Sequence, residues 1–178
     1  MDSSTQTLTQ LAGQAKKLYE ESEYEQAAAL FEKVFQQYAQ SGDEINCAEN
    51  KNNCSVALLK ADQAKKALEV VLGTDQVFAI AGDKTRQAMA LGNQAAAYEA
   101  MGDLDKALEI YLEASALLKE TGDQDLRSYV LKSISSIKMR KGKYMESMAS
   151  MQAAIGDKKS PSPVERLLKK LLGLIFKN

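Results

Sequence analysis

The dipeptide Gly-Asp recurs at Gly42-Asp43, Gly82-Asp83 and Gly122-Asp123, forty residues apart both times. A chain with an internal period of this size folds as stacked copies of one supersecondary unit, because a single copy cannot bury its own apolar face. The segments ahead of each pair align without gaps: AAALFEKVFQQYAQSGD from Ala27, ALEVVLGTDQVFAIAGD from Ala67 and ALEIYLEASALLKETGD from Ala107. A fourth, more divergent copy keeps the offset, with Gly142 in the place of Gly102, Tyr144 in that of Leu104 and Ser147 in that of Ala107.

Gly supplies the left-handed residue just past a helix C-terminus and Asp caps the N-terminus of the helix that follows, so each pair predicts a helix-to-helix joint. A second joint is predicted midway, at Ser22-Glu23, Asp62-Gln63, Gly102-Asp103 and Gly142-Lys143. Each period then holds two helices. In the third copy Leu91, Ala95, Tyr98 and Met101 form one apolar row at helical spacing, and Leu104, Ala107, Leu108, Tyr111 and Ala114 form the next. Strand-like alternation is absent, and the two prolines, Pro161 and Pro163, lie beyond the repeats.

At these residues the chain resembles the tetratricopeptide repeat (TPR) family. The family pattern sets a bulky, a small and an aromatic residue on the first helix, then a small and an aromatic residue four apart on the second. Leu91, Ala95, Tyr98, Ala107 and Tyr111 meet it, as do Leu11, Ala15, Leu18, Ala27 and Phe31; Leu58, Ala67 and Val71 follow it more loosely. Small residues belong where two helices cross closely and large ones where a neighbour leaves a hole, so the pattern is a packing code. Forty exceeds the family's commoner thirty-four and also lies in the range of HEAT repeats. The Gly-Asp joints and the Ala-to-aromatic spacing favour the TPR reading, whose longer-period members include bacterial regulators and motor light chains.

The resemblance implies an all-α right-handed solenoid of stacked antiparallel helix pairs, about nine helices in all. Residues 1–156 are expected to form four hairpins, at about 5–41, 43–81, 83–121 and 123–156, and residues 157–178 a linker and an amphipathic helix. It also implies that the first helix of each pair lines a concave groove that binds an extended or helical peptide. Asn53 and Asn93 share one groove slot forty residues apart, where an Asn amide can grip a peptide backbone with both donor and acceptor. A mid-helix Asn can equally face water or bond locally. The same face is expected to carry Lys16, Tyr19, Glu20, Glu49, Asn52, Lys60, Glu99, Tyr129, Lys132 and Arg140. This slightly basic set suits a peptide with an acidic residue or free C-terminus, although an ordinary solvated face also carries such charges. The carboxylate clamp by which some relatives hold chaperone C-termini asks for Lys and Asn in slots that here hold Ala12 and Lys16.

Residues 157–178 change character. Ser162 is placed to cap a helix beginning at Pro163. Val164, Leu167, Leu168, Leu171, Leu172, Leu174, Ile175 and Phe176 fall in an apolar arc of about 200°, opposite Arg166, Lys169, Lys170 and Lys177. An array needs a helix to cover its last face, but the arc is about twice the ~100° that a one-sided helix needs. The surplus, with Leu167, Leu171, Leu174, Ile175 and Phe176 as candidates, points to a second protomer, a groove or an anionic membrane surface. Six cations against Glu165 give residues 158–178 a net +5, leaving residues 1–157 at -6 within a total of -1. Met139, Met145, Met148 and Met151 cluster late and read as filler of a divergent last repeat.

The chain has no His, which removes the residue most used for acid–base work at neutral pH and for zinc or haem ligation. No Gly-rich phosphate loop or metal-spaced cluster appears, and carboxylate pairs such as Glu20 and Glu21 are ordinary helix-end charges. No catalytic, cofactor-binding or metal-binding residue is therefore assigned, and without a basic stripe on the repeats no nucleic acid partner is expected. Cys47 and Cys54 stand roughly 10.5 Å apart along a helix axis, beyond the roughly 7 Å between Cα atoms that a disulfide spans. Free buried thiols, and an N-terminus without a secretory or transit pattern, fit a cytoplasmic setting. The function expected is a non-catalytic scaffold or adaptor binding a partner peptide or helix, or alternatively a homo-oligomerisation unit or membrane-surface adaptor acting through the terminal helix.

Overall fold

The computed structural model describes residues 3–175, with side chains from residue 7 onward. Among these residues there are ten helices and no strand: α1 (Ser3–Glu20), α2 (Tyr24–Gln40), α3 (Glu44–Lys60), α4 (Ala64–Val71), α5 (Thr74–Ile80), α6 (Lys84–Ala100), α7 (Leu104–Thr121), α8 (Gln124–Arg140), α9 (Tyr144–Asp157) and α10 (Pro163–Ile175). They form an all-α TPR-like solenoid in which successive helices pack in pairs and each pair packs on the next.

Every predicted joint lies between helices, and backbone conformation explains why. Gly42, Gly82 and Gly122 take φ of +74°, +71° and +75°, a left-handed geometry that costs glycine nothing. The following Asp43, Asp83 and Asp123 accept the backbone N–H of Asn46, Arg86 and Leu126 at 3.1, 2.8 and 3.2 Å. Each aspartate thereby satisfies one of the amides that a helix start leaves unpaired. The midway joints use the same left-handed residue, glycine in the later copies but Ser22 and Asp62 in the first two.

The tenth helix comes from a break inside the second copy, where the gap-free alignment predicts continuous helix. Gly73 adopts φ +82° behind an extended Leu72, and the Thr74 hydroxyl donates to the Val71 carbonyl at 2.8 Å. The β-branched run Val70-Val71 and a glycine disfavour helix at this point, and the threonine satisfies a carbonyl that the break releases. Both halves, α4 and α5, pack between α3 and α6.

The packing code is visible where the two helices of a pair cross. Ala15, Ser55, Ala95 and Ser135 occupy one slot at period forty, and Ala27, Ala67, Ala107 and Ser147 the partner slot; all are essentially without solvent contact. In the fourth copy the two serines bond reciprocally, each hydroxyl donating to the other residue's carbonyl at 2.8 Å. In the second copy Ser55 faces an alanine slot, and its hydroxyl is buried without a hydrogen-bond partner. Burying a hydroxyl unpaired costs about 1–3 kcal/mol. Ser55→Ala is therefore expected to raise stability by about 1 kcal/mol in urea unfolding, and a loss would show that the hydroxyl is paired in solution.

Helix α10 begins with the expected cap. Glu165 N–H donates to the Ser162 hydroxyl at 3.2 Å and Ser162 N–H to the Glu165 carboxylate at 2.8 Å, a reciprocal capping box. Glu165 also accepts from Lys132 of α8 at 2.7 Å and from Lys158 at 2.9 Å. These two lysines, Lys132 first, hold its carboxyl well below the usual carboxylate range. Leu172 is buried, whereas Val164, Leu167, Leu171, Leu174 and Ile175 stay 44–74% exposed. The wide arc thus docks along one edge and leaves the rest uncovered. Phe176 lies outside the described residues.

Candidate partner-binding groove

Adjacent first helices α1 and α3 leave two neighbouring pockets between them. One, of about 170 Å³, is mainly apolar and lined by Tyr19, Phe31 and Val56, with Lys16, Glu20 and Asn53 at its rim. The other, of about 280 Å³, is the more polar of the two and includes Thr9, Tyr38, Asn46, Glu49 and Asn50. Lys16 and Asn53 belong to both. Lys16 is exposed and Asn53 half-buried. Tyr19 is held edge-on against Tyr24, with ring centroids 5.3 Å apart, so its ring forms a fixed wall.

The two asparagines expected in equivalent slots differ in what their amides do. The Asn93 amide nitrogen donates to Asn52 Oδ1 at 3.0 Å, while Asn52 donates to the Ala48 carbonyl at 2.9 Å and is buried. Asn52 and Asn93 therefore join α3 to α6 within the wall of the array. Asn53 makes no such bond and opens on the two pockets.

The remaining predicted groove residues are dispersed. Glu99 accepts from Arg140 at 3.1 Å and from the Tyr111 hydroxyl at 3.5 Å, linking α6, α7 and α8. Burial pushes the Tyr111 phenol above its ordinary value, so it stays a donor to that carboxylate. Lys132 is engaged with Glu165, and Glu49 lies 3.6 Å from Arg86. Tyr129 and Lys60 are exposed and line neither α1–α3 pocket. Phe31 and Val56 were not anticipated as lining residues, because Phe31 fills a core slot of the repeat pattern and its rim is revealed only by the neighbouring helix. Asn50 was not anticipated either; the available signal was a polar residue in a slot that holds Ala90 and Val130 in later copies.

Both thiols are free and buried on α3. Cys54 donates to the Ala28 carbonyl at 3.4 Å, and burial pushes its pKa up to about 12. Such a thiol is a packing group rather than a nucleophile at neutral pH. Among the described residues, no group of three or more His, Cys, Asp or Glu is placed to hold a metal ion.

A family model for soluble NSF attachment protein, SNAP, matches residues 4–166. The chain belongs to this family. The match runs from α1 into the first turn of α10, so the repeat array and its joints are SNAP-family architecture. TPR-like repeats assigned to a kinesin light chain of Podosopora anserina superpose with a TM-score of 0.76 at 15% identity, covering 96% of this chain and 86% of that one. A single-substitution variant of those repeats gives 0.69 at 14% identity, covering 95% and 94%. At such identities the two structures speak for the fold alone, and that fold is the TPR-type solenoid. No curated protein matches the chain.

Proposed function

We propose that this SNAP-family chain is a non-catalytic scaffold that holds a partner peptide or helix in its concave groove, with the α1–α3 pockets as the principal seat. The observation that carries this reading is Asn53 and Lys16, two polar side chains not spent on internal bonds, on the shared wall of an apolar and a more polar pocket. An amide offers both donor and acceptor to a peptide backbone, Lys16 suits a carboxylate or carbonyl, and the apolar pocket takes an aliphatic side chain. Tyr129, Lys60 and Arg140 then extend the groove toward later repeats, while Lys132, Glu99, Asn52 and Asn93 shape its wall. The family's name describes attachment to NSF, which makes NSF a candidate partner to place in the assay.

Asn53→Ala is expected to weaken partner capture by about ten-fold, a typical loss for a central contact, with helicity by circular dichroism unchanged. Asn93→Ala should instead lower thermal stability, since it removes a bond between α3 and α6. Unchanged capture by the Asn53 variant would refute the groove assignment.

A second reading, a homo-oligomerisation unit or membrane-surface adaptor, rests on the uncovered stripe Val164, Leu167, Leu171 and Leu174 beside Arg166, Lys169 and Lys170. No helix among the described residues is long and apolar enough to cross a membrane, so contact with a bilayer would be peripheral. Changing Leu167, Leu171 and Leu174 to Gln leaves the docked Leu172 and the Glu165 contacts in place. The full chain is expected to show a larger mass in sedimentation, or binding to anionic vesicles, that this variant loses. A monomeric mass and no vesicle binding for both would overturn the reading.

A further inference from the structure

The uncovered stripe of α10 has a counterpart at the other end of the array. At about 100° per residue, Val164, Leu167, Leu171 and Leu174 form one exposed row, and Arg166 and Lys170 run along one side of it. The only carboxylate of the helix, Glu165, is taken by Lys132 and Lys158, so among the described residues Arg166 and Lys170 have no ion-pair partner. The second helices α2 and α4 leave a cleft of about 390 Å³ between them. Glu25 and Glu32 of α2 and Glu69 of α4 stand exposed on its sides, against the single cation Lys66, which bonds Gln63 at 2.8 Å. Glu32 accepts from the Gln36 amide at 3.3 Å, and no ion pair among the described residues involves any of the three carboxylates. The floor is apolar, made by Ala28, Cys54 and Leu58. Ala28 stands in the slot that Leu68, Leu108 and Met148 hold in the later copies, so the side chain that would occupy this space is absent from the first.

We propose that the α2–α4 cleft receives α10 of a second copy of this chain. The inference rests on the homo-oligomerisation reading above and names the surface that takes the helix. The leucine row seats on the apolar floor, while Arg166 and Lys170 meet the carboxylates on the sides. Charge selects this occupant. Residues 158–178 carry a net +5 and residues 1–157 a net -6, so an anionic bilayer that attracts α10 repels the array behind it, whereas a second array attracts α10. Charge also selects the cleft, since the α1–α3 pockets present Lys16 to an incoming cation. Within one chain α10 is docked on α9 and tied to α8, two repeats beyond α4, and does not reach the cleft. The contact therefore joins two different surfaces, one helix and one cleft from each chain. Such a heterologous contact runs head to tail, into a ring or a filament, and does not form a two-fold dimer.

The test is sedimentation velocity of the full chain over a concentration series, at low salt and at about 1 M salt, where charges are screened beyond about 3 Å. The mass is expected to rise with concentration at low salt and to fall back at high salt. Glu32→Lys with Glu69→Lys should weaken self-association by about ten-fold or more, and Arg166→Glu with Lys170→Glu should do the same. All four positions are exposed, so helicity by circular dichroism should be unchanged in both variants. Mixed in equal amounts, the two charge-reversed chains should associate again, because each helix then finds a cleft of opposite charge. Mixing the Glu32→Lys, Glu69→Lys chain with a Leu167→Gln, Leu171→Gln, Leu174→Gln chain should instead stop at a pair, since only one intact helix and one intact cleft remain. If the leucine variant alone is monomeric while Glu32→Lys with Glu69→Lys associates as the parent chain does, the cleft assignment is overturned and the oligomerisation reading stands. A charge-reversed mixture that stays monomeric overturns the cleft in the same way. A parent chain that is monomeric at every concentration overturns both, and binding of that monomer to phosphatidylserine vesicles would assign α10 to a bilayer.

Discussion

Truncation of Phe78 to alanine is expected to destabilise the array by about 3–5 kcal/mol, the usual cost of emptying a fully enclosed aromatic site. Phe78 is 2% exposed and packs with Ala48 of α3 and Ala90 of α6, with Ile45 and Val77 at the edge. The Arg86 guanidinium sits 5.0 Å from its ring centroid, so the substitution removes a cation–π contact as well as a side chain. Its position sharpens the expectation. Phe78 lies on α5, the short helix beyond the break at Gly73, and no long helix continues through that point to hold the segment in place. Besides the ring, α5 is fixed to the third repeat by the Gln94 amide donating to Asp75 at 2.6 Å. In a stacked array each repeat is stabilised by its neighbours' interfaces, so loss of this one should also reduce cooperativity. Urea unfolding followed by circular dichroism reads both the midpoint and the slope. A loss under about 1.5 kcal/mol would show that α5 collapses into the space, since the cost of a cavity depends on how far its walls relax.

Ala107→Leu is the second large effect expected, of the opposite kind. Ala95 and Ala107 occupy the crossing slots of α6 and α7 and have no solvent contact. Extra carbon atoms at a close crossing force the helices apart or a side chain off its rotamer, at about 1–3 kcal/mol. For a chain of this size that lowers the melting temperature by roughly 2–12 °C. The fourth repeat supplies the control, because Ser135 and Ser147 occupy the same slots with reciprocal bonds. Ala107→Ser alone should cost stability, whereas Ala95→Ser with Ala107→Ser should be nearly neutral, each hydroxyl finding the other residue's carbonyl. An additive double-mutant cycle would show that the slots do not face one another.

Much of this architecture was legible because it is written in local chemistry. A left-handed glycine followed by a capping aspartate needs no distant residue to adopt its conformation, and the pairs Gly42-Asp43, Gly82-Asp83, Gly102-Asp103 and Gly122-Asp123 all take it. Small residues at period forty declare a close crossing whatever surrounds them. The break at Gly73 was less visible, since an alignment in register conceals a local departure that adds no residue. The Ser162 cap was legible, yet the ties of Glu165 to Lys132 and Lys158 were not, because those depend on where the linker brings α10.

The candidate site divides along the same line. From sequence, Asn53 and Asn93 are equivalent, alike in residue type, slot and helix. Their amides differ in the folded chain because Asn52, one residue from Asn53, lies against Asn93 and occupies its donor, while Asn53 opens on α1 and the two pockets. Lys16 and Lys132 are likewise both groove cations by register, but α10 arrives beside only one of them and supplies Glu165. The sequence alone determined the repeat, its joints, its crossing slots and the amphipathic terminal helix, since each is set by backbone conformation or by residues within one period. Only the tertiary structure decided which amide is free, which lysine is paired, which edge of α10 is covered and where a buried hydroxyl lacks a partner. Those outcomes rest on contacts between helices forty residues apart, where the same residue in the same slot meets a different neighbour.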